Sequence, residues 1–226
     1  MKNLLLIIGL TAIIQVSAQL PTLIDSNNQI IKYDGYTISY NELHEQPNWV
    51  FYRMDSTDII CGAENKAKRK NNFKEDKRIR TGSASLKDYK GSGYDRGHLK
   101  SSADESCNQA QMNETFYMSN MSPQLPALNR GGWKKLENYV RKLTKTNDSL
   151  YVYTGPVLNP TLKTIGENKV SVPLLYFKVV YVFNNSDKKV ISYLIPNNKI
   201  TEELNTYRIE LTDLEKLIGI TFPKSF

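Results

Sequence analysis

The chain has 226 residues, 30 Lys and Arg against 23 Asp and Glu, and a formal net charge of +7. That excess favours an anionic partner without naming one. The two cysteines form no CxxC pair and the two histidines lie far apart, which excludes a zinc site of ordinary spacing.

The first stretch, "MKNLLLIIGLTAIIQVSAQLP", has a positive Lys2, an apolar run over residues 4–16 and small residues at Ser17 and Ala18. This predicts a secretory signal peptide over residues 1–18, cleaved after Ala18. The alternative is an N-terminal anchor, but the run is shorter than the roughly 20 residues a spanning helix needs. No cysteine stands near the cleavage site, and no other segment is apolar enough to span a membrane, so the product is exported, to a periplasm or beyond the cell. In an oxidising compartment Cys61 and Cys107 are expected to pair as a disulfide, with two buried free thiols as the alternative.

Residues 19–34 read as a loose leader. "YDGYTISYNEL" and "NWVFYRM" have the tyrosine content and alternation of edge strands. Residues 62–93 are polar, and within them "KAKRKNNFKEDKRIR" sets eight basic residues against Glu75 and Asp76. This run suits a groove that gathers polyanion, or simply a solvated loop. "ETFYMSNMSPQ" reads as a short strand into a turn. "RGGWKKLENYVRKLTK" places Trp133, Leu136, Val140 and Leu143 at helical spacing. "SLYVYTGPVL", "VSVPLLYFKVVYVFN" and "KKVISYLIPN" are β-rich. "TDLEKLIGITF" predicts a closing helix, capped by Thr212 or Asp213 and ended at Gly219. The class is α+β, a mostly antiparallel sheet with a few helices. No Gly-rich phosphate loop is present.

The chemistry concentrates in "YDRGHLKSSAD". If Asp95–His98 ends a strand, Arg96 and His98 share one face and Asp95 points to the other. An arginine fork grips phosphate, and a neutral imidazole beside it takes a proton from water. Asp95 or a backbone carbonyl would fix the ring or the loop. Gly97 permits close approach of another backbone or of a substrate. Further on, Asn120 sits in a turn, and Asn129, Trp133 and Glu137 fall four apart along one helical stripe. An amide oxygen and a carboxylate two turns apart suit Mg²⁺, with Asn129 as direct ligand and Glu137 orienting the water shell. The bland alternatives are an N-cap for Asn129, a solvated face for Glu137 and an Asx turn for Asn120.

"DRGH" followed by "SNMSPQLPALNRGGWKKLE" resembles the DNA/RNA non-specific endonucleases, the family of secreted bacterial nucleases and mitochondrial endonuclease G. The likeness continues through "YVYTGPV", "VSVPLLYFKVV" and "YLIPNN" over roughly residues 47–220. It implies a ββα-metal fold for a nuclease domain at 47–226, which follows the signal peptide at 1–18 and an N-terminal leader at 19–46 that the resemblance does not cover. It implies His98 as general base, Asn129 as the metal ligand, Glu137 beside the metal waters, and Arg96 and Asn120 holding the scissile phosphate and supporting the histidine. An upstream arginine on phosphate maps to Arg69, with Arg78 and Arg80 as alternatives. The substrates implied are DNA and RNA, and the cofactor Mg²⁺, with Mn²⁺ or another divalent ion as substitute. A homodimer is compatible with the family. An inhibitor partner is common for such enzymes, though none is visible in the sequence. The competing functions are a selective toxin nuclease, a small-molecule phosphodiesterase, and a non-catalytic polyanion-binding module.

Overall fold

Residues 20–23 and 28–224 are described by a computed structural model. The signal peptide expected at 1–18 lies outside them. The strands in chain order are β1 (Thr22–Leu23), β2 (Asn28–Lys32), β3 (Thr37–Asn41), β4 (Gln46–Met54), β5 (Asp95–His98), β6 (Met121–Gln124), β7 (Ser149–Pro156), β8 (Thr164–Ile165), β9 (Val170–Ser171), β10 (Leu175–Asn184), β11 (Asp187–Pro196) and β12 (Ile220–Thr221). Six of them form one antiparallel sheet in the order β11-β10-β7-β4-β3-β2.

Both faces of this sheet are covered, so its inner strands are apolar almost throughout rather than alternating with polar residues. On one face Val50, Tyr52, Val152 and Val180 pack with Trp133, Leu136 and Val140 of the helical segment that follows β6. On the other, Trp49, Tyr153, Phe177 and Val179 pack with Leu214, Ile220 and Phe222 near the C-terminus. Fully burying a side chain such as Leu136 or Val140 stabilises the fold by about 1.5–3 kcal/mol. Those contacts hold the helix Lys134–Thr144 against the sheet.

Several sequence expectations are corrected here. β3 and β4 are interior strands, not edges, because each is hydrogen-bonded to a neighbouring strand on both sides. The edge is β2, which lies in the supposed loose leader and buries only Ile31. The leader, residues 19–46, therefore supplies two strands of the main sheet. "ETFYMSNMSPQ" runs in the opposite sense to its reading: a turn at Met118–Asn120 leads into strand β6. The last helix, Leu211–Ile218, starts after Glu210 without a side-chain cap, and Thr212 and Asp213 sit in its first turn. Gly219 ends it as expected, in the left-handed region at φ 66°. Among the described residues no helix is long and apolar enough to cross a membrane.

β5 and β6 pair antiparallel as a separate two-stranded ribbon. The next element is a π-helical turn, Leu128–Trp133, that runs into the helix Lys134–Thr144. The basic segment lies over this unit. It is fastened by a Cys61–Cys107 disulfide with a Cα–Cα distance of 5.7 Å. Backbone hydrogen bonds add to this, from Ala67 N to Ser106 O at 2.9 Å and from Met118 N to Lys74 O at 2.8 Å. The bond spans 46 residues, for which loop-closure entropy gives about 4 kcal/mol at most. Replacing both cysteines by serine is expected to lower unfolding free energy by about 2–4 kcal/mol in urea titration; an unchanged midpoint would deny the bond any part in stability.

Candidate active site

A cavity of about 410 Å³ opens where β5 meets the π-helical turn, and Arg69, Arg96, His98, Asn129 and Glu137 all line it. The expected strand Asp95–His98 forms. At Gly97 a Cβ would run into the side chain of Gln124 on the paired strand, which would have to move to admit it. The close neighbour allowed for at Gly97 is thus a protein side chain.

His98 is 8% exposed. Its ring lies 4.9 Å from Phe116 and 5.5 Å from Phe73, centroid to centroid. Nε2 is buried without a hydrogen-bond partner. Burial, with Arg69 and Arg96 nearby, pushes the imidazole down to about 3. The ring is therefore neutral at pH 7. Its carbonyl accepts from Trp133 Nε1 at 3.2 Å, so the helical segment grips the strand at the histidine itself. The other histidine, His44, bonds Ser171 Oγ at 2.8 Å, and does not line this cavity.

Arg96 lies with its guanidinium 4.3 Å from the Phe73 ring centroid. Among the described residues it donates no hydrogen bond and closes no ion pair, which leaves its fork open to an anion. The structure separates the three upstream arginines. Arg69 lines the cavity, braced by Ser102 Oγ and Asn71 Oδ1, each at 2.7 Å. Arg78 stacks on Tyr33 and pairs with Asp76 and Glu114, while Arg80 pairs with Glu42. Much of the basic run thus faces away from the cavity.

Asn129 is not an N-cap; it lies inside the π-helical turn, where Ala127 holds the capping position. Its Nδ2 donates to Asp95 Oδ2 at 2.8 Å. Arg130 donates to both oxygens of the same carboxylate, at 2.8 and 2.7 Å. Burial raises the Asp95 pKa, but the hydrogen bonds from Arg130 and Asn129 outweigh it and hold Asp95 below the usual carboxylate range. An ionised carboxylate only accepts hydrogen bonds. The amide must turn NH₂ toward Asp95, and Oδ1 is left without a donor among the described residues. That oriented, uncommitted oxygen fits a hard divalent cation. The expectation that Asp95 faces away is corrected: it shares the cavity, and it fixes Asn129 rather than the imidazole ring.

Glu137 accepts from Ser101 Oγ at 3.1 Å and lies 4.0 Å from Arg141. Burial and the neighbouring Asp104 push it up to about 7, against Lys178 and Arg141. A cation in the cavity would draw it back toward the ionised form. Arg141, which the sequence reading missed, also lines the cavity and bonds buried Asp104 at 2.6 Å. It extends the stripe of Asn129, Trp133 and Glu137 by four more residues, which was the available signal. Among the described residues no group of three or more His, Cys, Asp or Glu is arranged to hold a metal.

Asn120 requires the main correction. It is fully buried and does not line the cavity. Its Nδ2 donates to Lys100 O and Thr115 O at 2.9 and 2.8 Å, and its Oδ1 accepts from Lys100 N at 3.0 Å. Leu99 N donates to its carbonyl at 3.0 Å. With no polar atom to spare, Asn120 holds the chain leaving His98 and touches no phosphate.

Comparison with known proteins identifies the family. Residues 17–225 match the family of DNA/RNA non-specific endonucleases. The chain belongs to that family. Nuclease C1 of Cunninghamella echinulata var. echinulata is 34% identical over 206 residues, covering 85% of this chain and 81% of that protein. Mitochondrial endonuclease G of Homo sapiens is 30% identical over 208 residues, covering 86% and 69%. A crystal structure of the EndoG/EndoGI complex superposes with a TM-score of 0.85 at 30% identity, covering 93% of this chain and 90% of that one. The endonuclease family and its ββα-metal fold therefore account for the ribbon, the helix and the cavity between them. The match also reaches further into the N-terminal segment than the motifs themselves indicate.

Asn120→Ala would strand three buried backbone groups. It is expected to cost about 2–4 kcal/mol of unfolding free energy, measured by urea titration. Unchanged stability with lost cleavage would restore Asn120 to the substrate.

Proposed function

We propose that this endonuclease is exported and hydrolyses phosphodiester bonds of DNA and RNA alike, with His98 as general base and Asn129 as the single protein ligand of a divalent cation. The observation that carries the reading is the convergence on one cavity of a neutral imidazole, an uncommitted guanidinium and an oriented amide oxygen. The signal-peptide pattern at 1–18 supports export.

Because Nε2 is buried, we assign the base to Nδ1. His98 takes a proton there from a water, which attacks phosphorus in line with the 3′ oxygen. The bond from phosphorus to that oxygen breaks, and the products carry 5′-phosphate and 3′-hydroxyl ends. Arg96 and Arg69 hold the non-bridging oxygens and meet the charge that builds on them. Mg²⁺ or Mn²⁺, bound at Asn129 with Glu137 as acceptor for its waters, would offset charge on the phosphate and the departing oxygen. Phosphate contacts position a strand but carry no sequence, so broad specificity follows.

Plasmid, single-stranded DNA and RNA should all be degraded with Mg²⁺, and chelator should stop all three. His98→Ala should lower kcat about 10²–10⁴-fold, and Asn129→Ala should act in the same direction. Full activity of His98→Ala would remove the proposed base. The pH dependence has a definite sign. A lowered imidazole pKa keeps the base free as pH falls, so the histidine limb of kcat/KM should lie well below 6.5 in the rate profile. Loss of activity centred near 6.5 would contradict the buried, arginine-flanked ring.

A further inference from the structure

A second cavity, of about 460 Å³, lies on the far side of Arg96, and the nuclease mechanism makes no use of it. It shares Asp95 and Arg96 with the active-site cavity; its other walls are Leu86, Tyr89, Lys90 and Tyr94. We propose that it is a nucleobase subsite, which takes the base next to the scissile phosphate against Tyr94 while Lys90 meets the following phosphate. This rests on the reading of the active site as a phosphodiester hydrolase.

Two observations favour a base over other occupants. The first is chemistry. The lining joins an exposed leucine and two tyrosines to Lys90 and Arg96, which suits a flat aromatic ligand bearing anionic groups. The second is rigidity. The wall helix Leu86–Tyr89 is fixed through Asp88, which accepts from Ser85 N, Asn168 N and Asn168 Nδ2 at 2.7, 3.0 and 2.9 Å. Gly166, at φ 68°, comes so near Asp88 that a Cβ there would collide with it. Tyr94 N donates to Ser92 Oγ at 3.2 Å, and that hydroxyl donates to Tyr89 O at 2.9 Å. A wall already ordered costs little further entropy when a ligand arrives.

Arg96 is thus a shared post: its guanidinium serves the phosphate on one side, and its neighbours receive the adjoining nucleotide on the other. Because stacking tolerates any base, the subsite strengthens binding without imposing a sequence. It needs an unstacked base, so it favours single strands and frayed duplex over intact duplex.

Cleavage of single-stranded oligonucleotides by the parent, Tyr94→Ala, Tyr94→Phe, Leu86→Ser and Lys90→Glu tests this. Alongside it, the His98→Ala protein is titrated with oligonucleotides carrying 2-aminopurine at successive positions. Tyr94→Ala should raise KM about tenfold or more with kcat little changed, and Tyr94→Phe should behave as the parent. Lys90→Glu and Leu86→Ser, at exposed positions, should raise KM without loss of folding. Quenching should peak at one position and vanish when Tyr94→Ala is added to the His98→Ala protein. Parent-like KM in Tyr94→Ala, Leu86→Ser and Lys90→Glu on single strands would overturn the subsite. A parent that cleaves nothing would instead overturn the hydrolase reading, and the quenching titration would still decide whether a base enters this cavity.

Discussion

The site depends first on the Asp95 carboxylate. It accepts from Asn129 and from Arg130, and so joins the start of β5 to the π-helical turn. At the other end of the same four-residue strand, Trp133 Nε1 holds the His98 carbonyl. The bonds from Asn129 and Trp133, at opposite ends of β5, therefore fix two residues four apart on the helical segment. Hydrogen bonds to a charged group contribute about 1.5–3 kcal/mol. More important is direction: an ionised carboxylate cannot donate, so it decides which way the Asn129 amide faces. The π-helical turn belongs to the same constraint; such turns are rare and are frequently found at functional sites. It is the segment that brings Asn129 to the strand while the regular helix beyond it keeps Leu136 and Val140 in the core.

Around this joint, one set of charges does two things. Arg69, Arg96, Arg130, Lys134 and Arg141 all line the cavity, and together they draw in a polyanion. Burial and two of those arginines also disfavour a second positive charge on His98. The His98 imidazole is thus held neutral, the form the proposed base requires. A phosphate bound beside it would partly cancel the neighbouring positive charge and make a protonated ring better tolerated. Phe73 and Phe116 make this arrangement stable. Their rings pack the imidazole and lie under Arg96 and Arg69 respectively, so the guanidiniums stay in place without carboxylate partners that would compete with substrate.

The sequence showed what local periodicity controls. Period two put Arg96 and His98 on one strand face, and the spacing by fours put Asn129 and Glu137 on one cavity wall. Contacts across long stretches of chain were not legible. Asp95 looked as if it faced away because alternation ignores strand ends, where a short side chain can reach residues 34 and 35 positions later. Asn120 looked like a site residue because its position matched the family pattern, yet all its hydrogen bonds turn inward. β2 looked like a leader because an edge strand buries little. Arg69 could not be told from Arg78 by composition; only the partners Asp76 and Glu114, placed by the fold, take Arg78 away.

These two kinds of information meet in the question of specificity. The lining of the active-site cavity is dominated by guanidinium and ammonium groups, which see every phosphate alike. Its one oriented amide has its NH₂ committed to Asp95 and its oxygen reserved, in the proposed reading, for a cation, so it would not read the edge of a base. A cavity so furnished selects a phosphodiester and nothing finer. Any preference this enzyme has among nucleic acids must come from walls outside that cavity, where aromatic rings rather than charges meet the strand. The 2′-hydroxyl that separates RNA from DNA would also have to be read there, because the charges at the scissile phosphate hold the backbone without distinguishing its sugar.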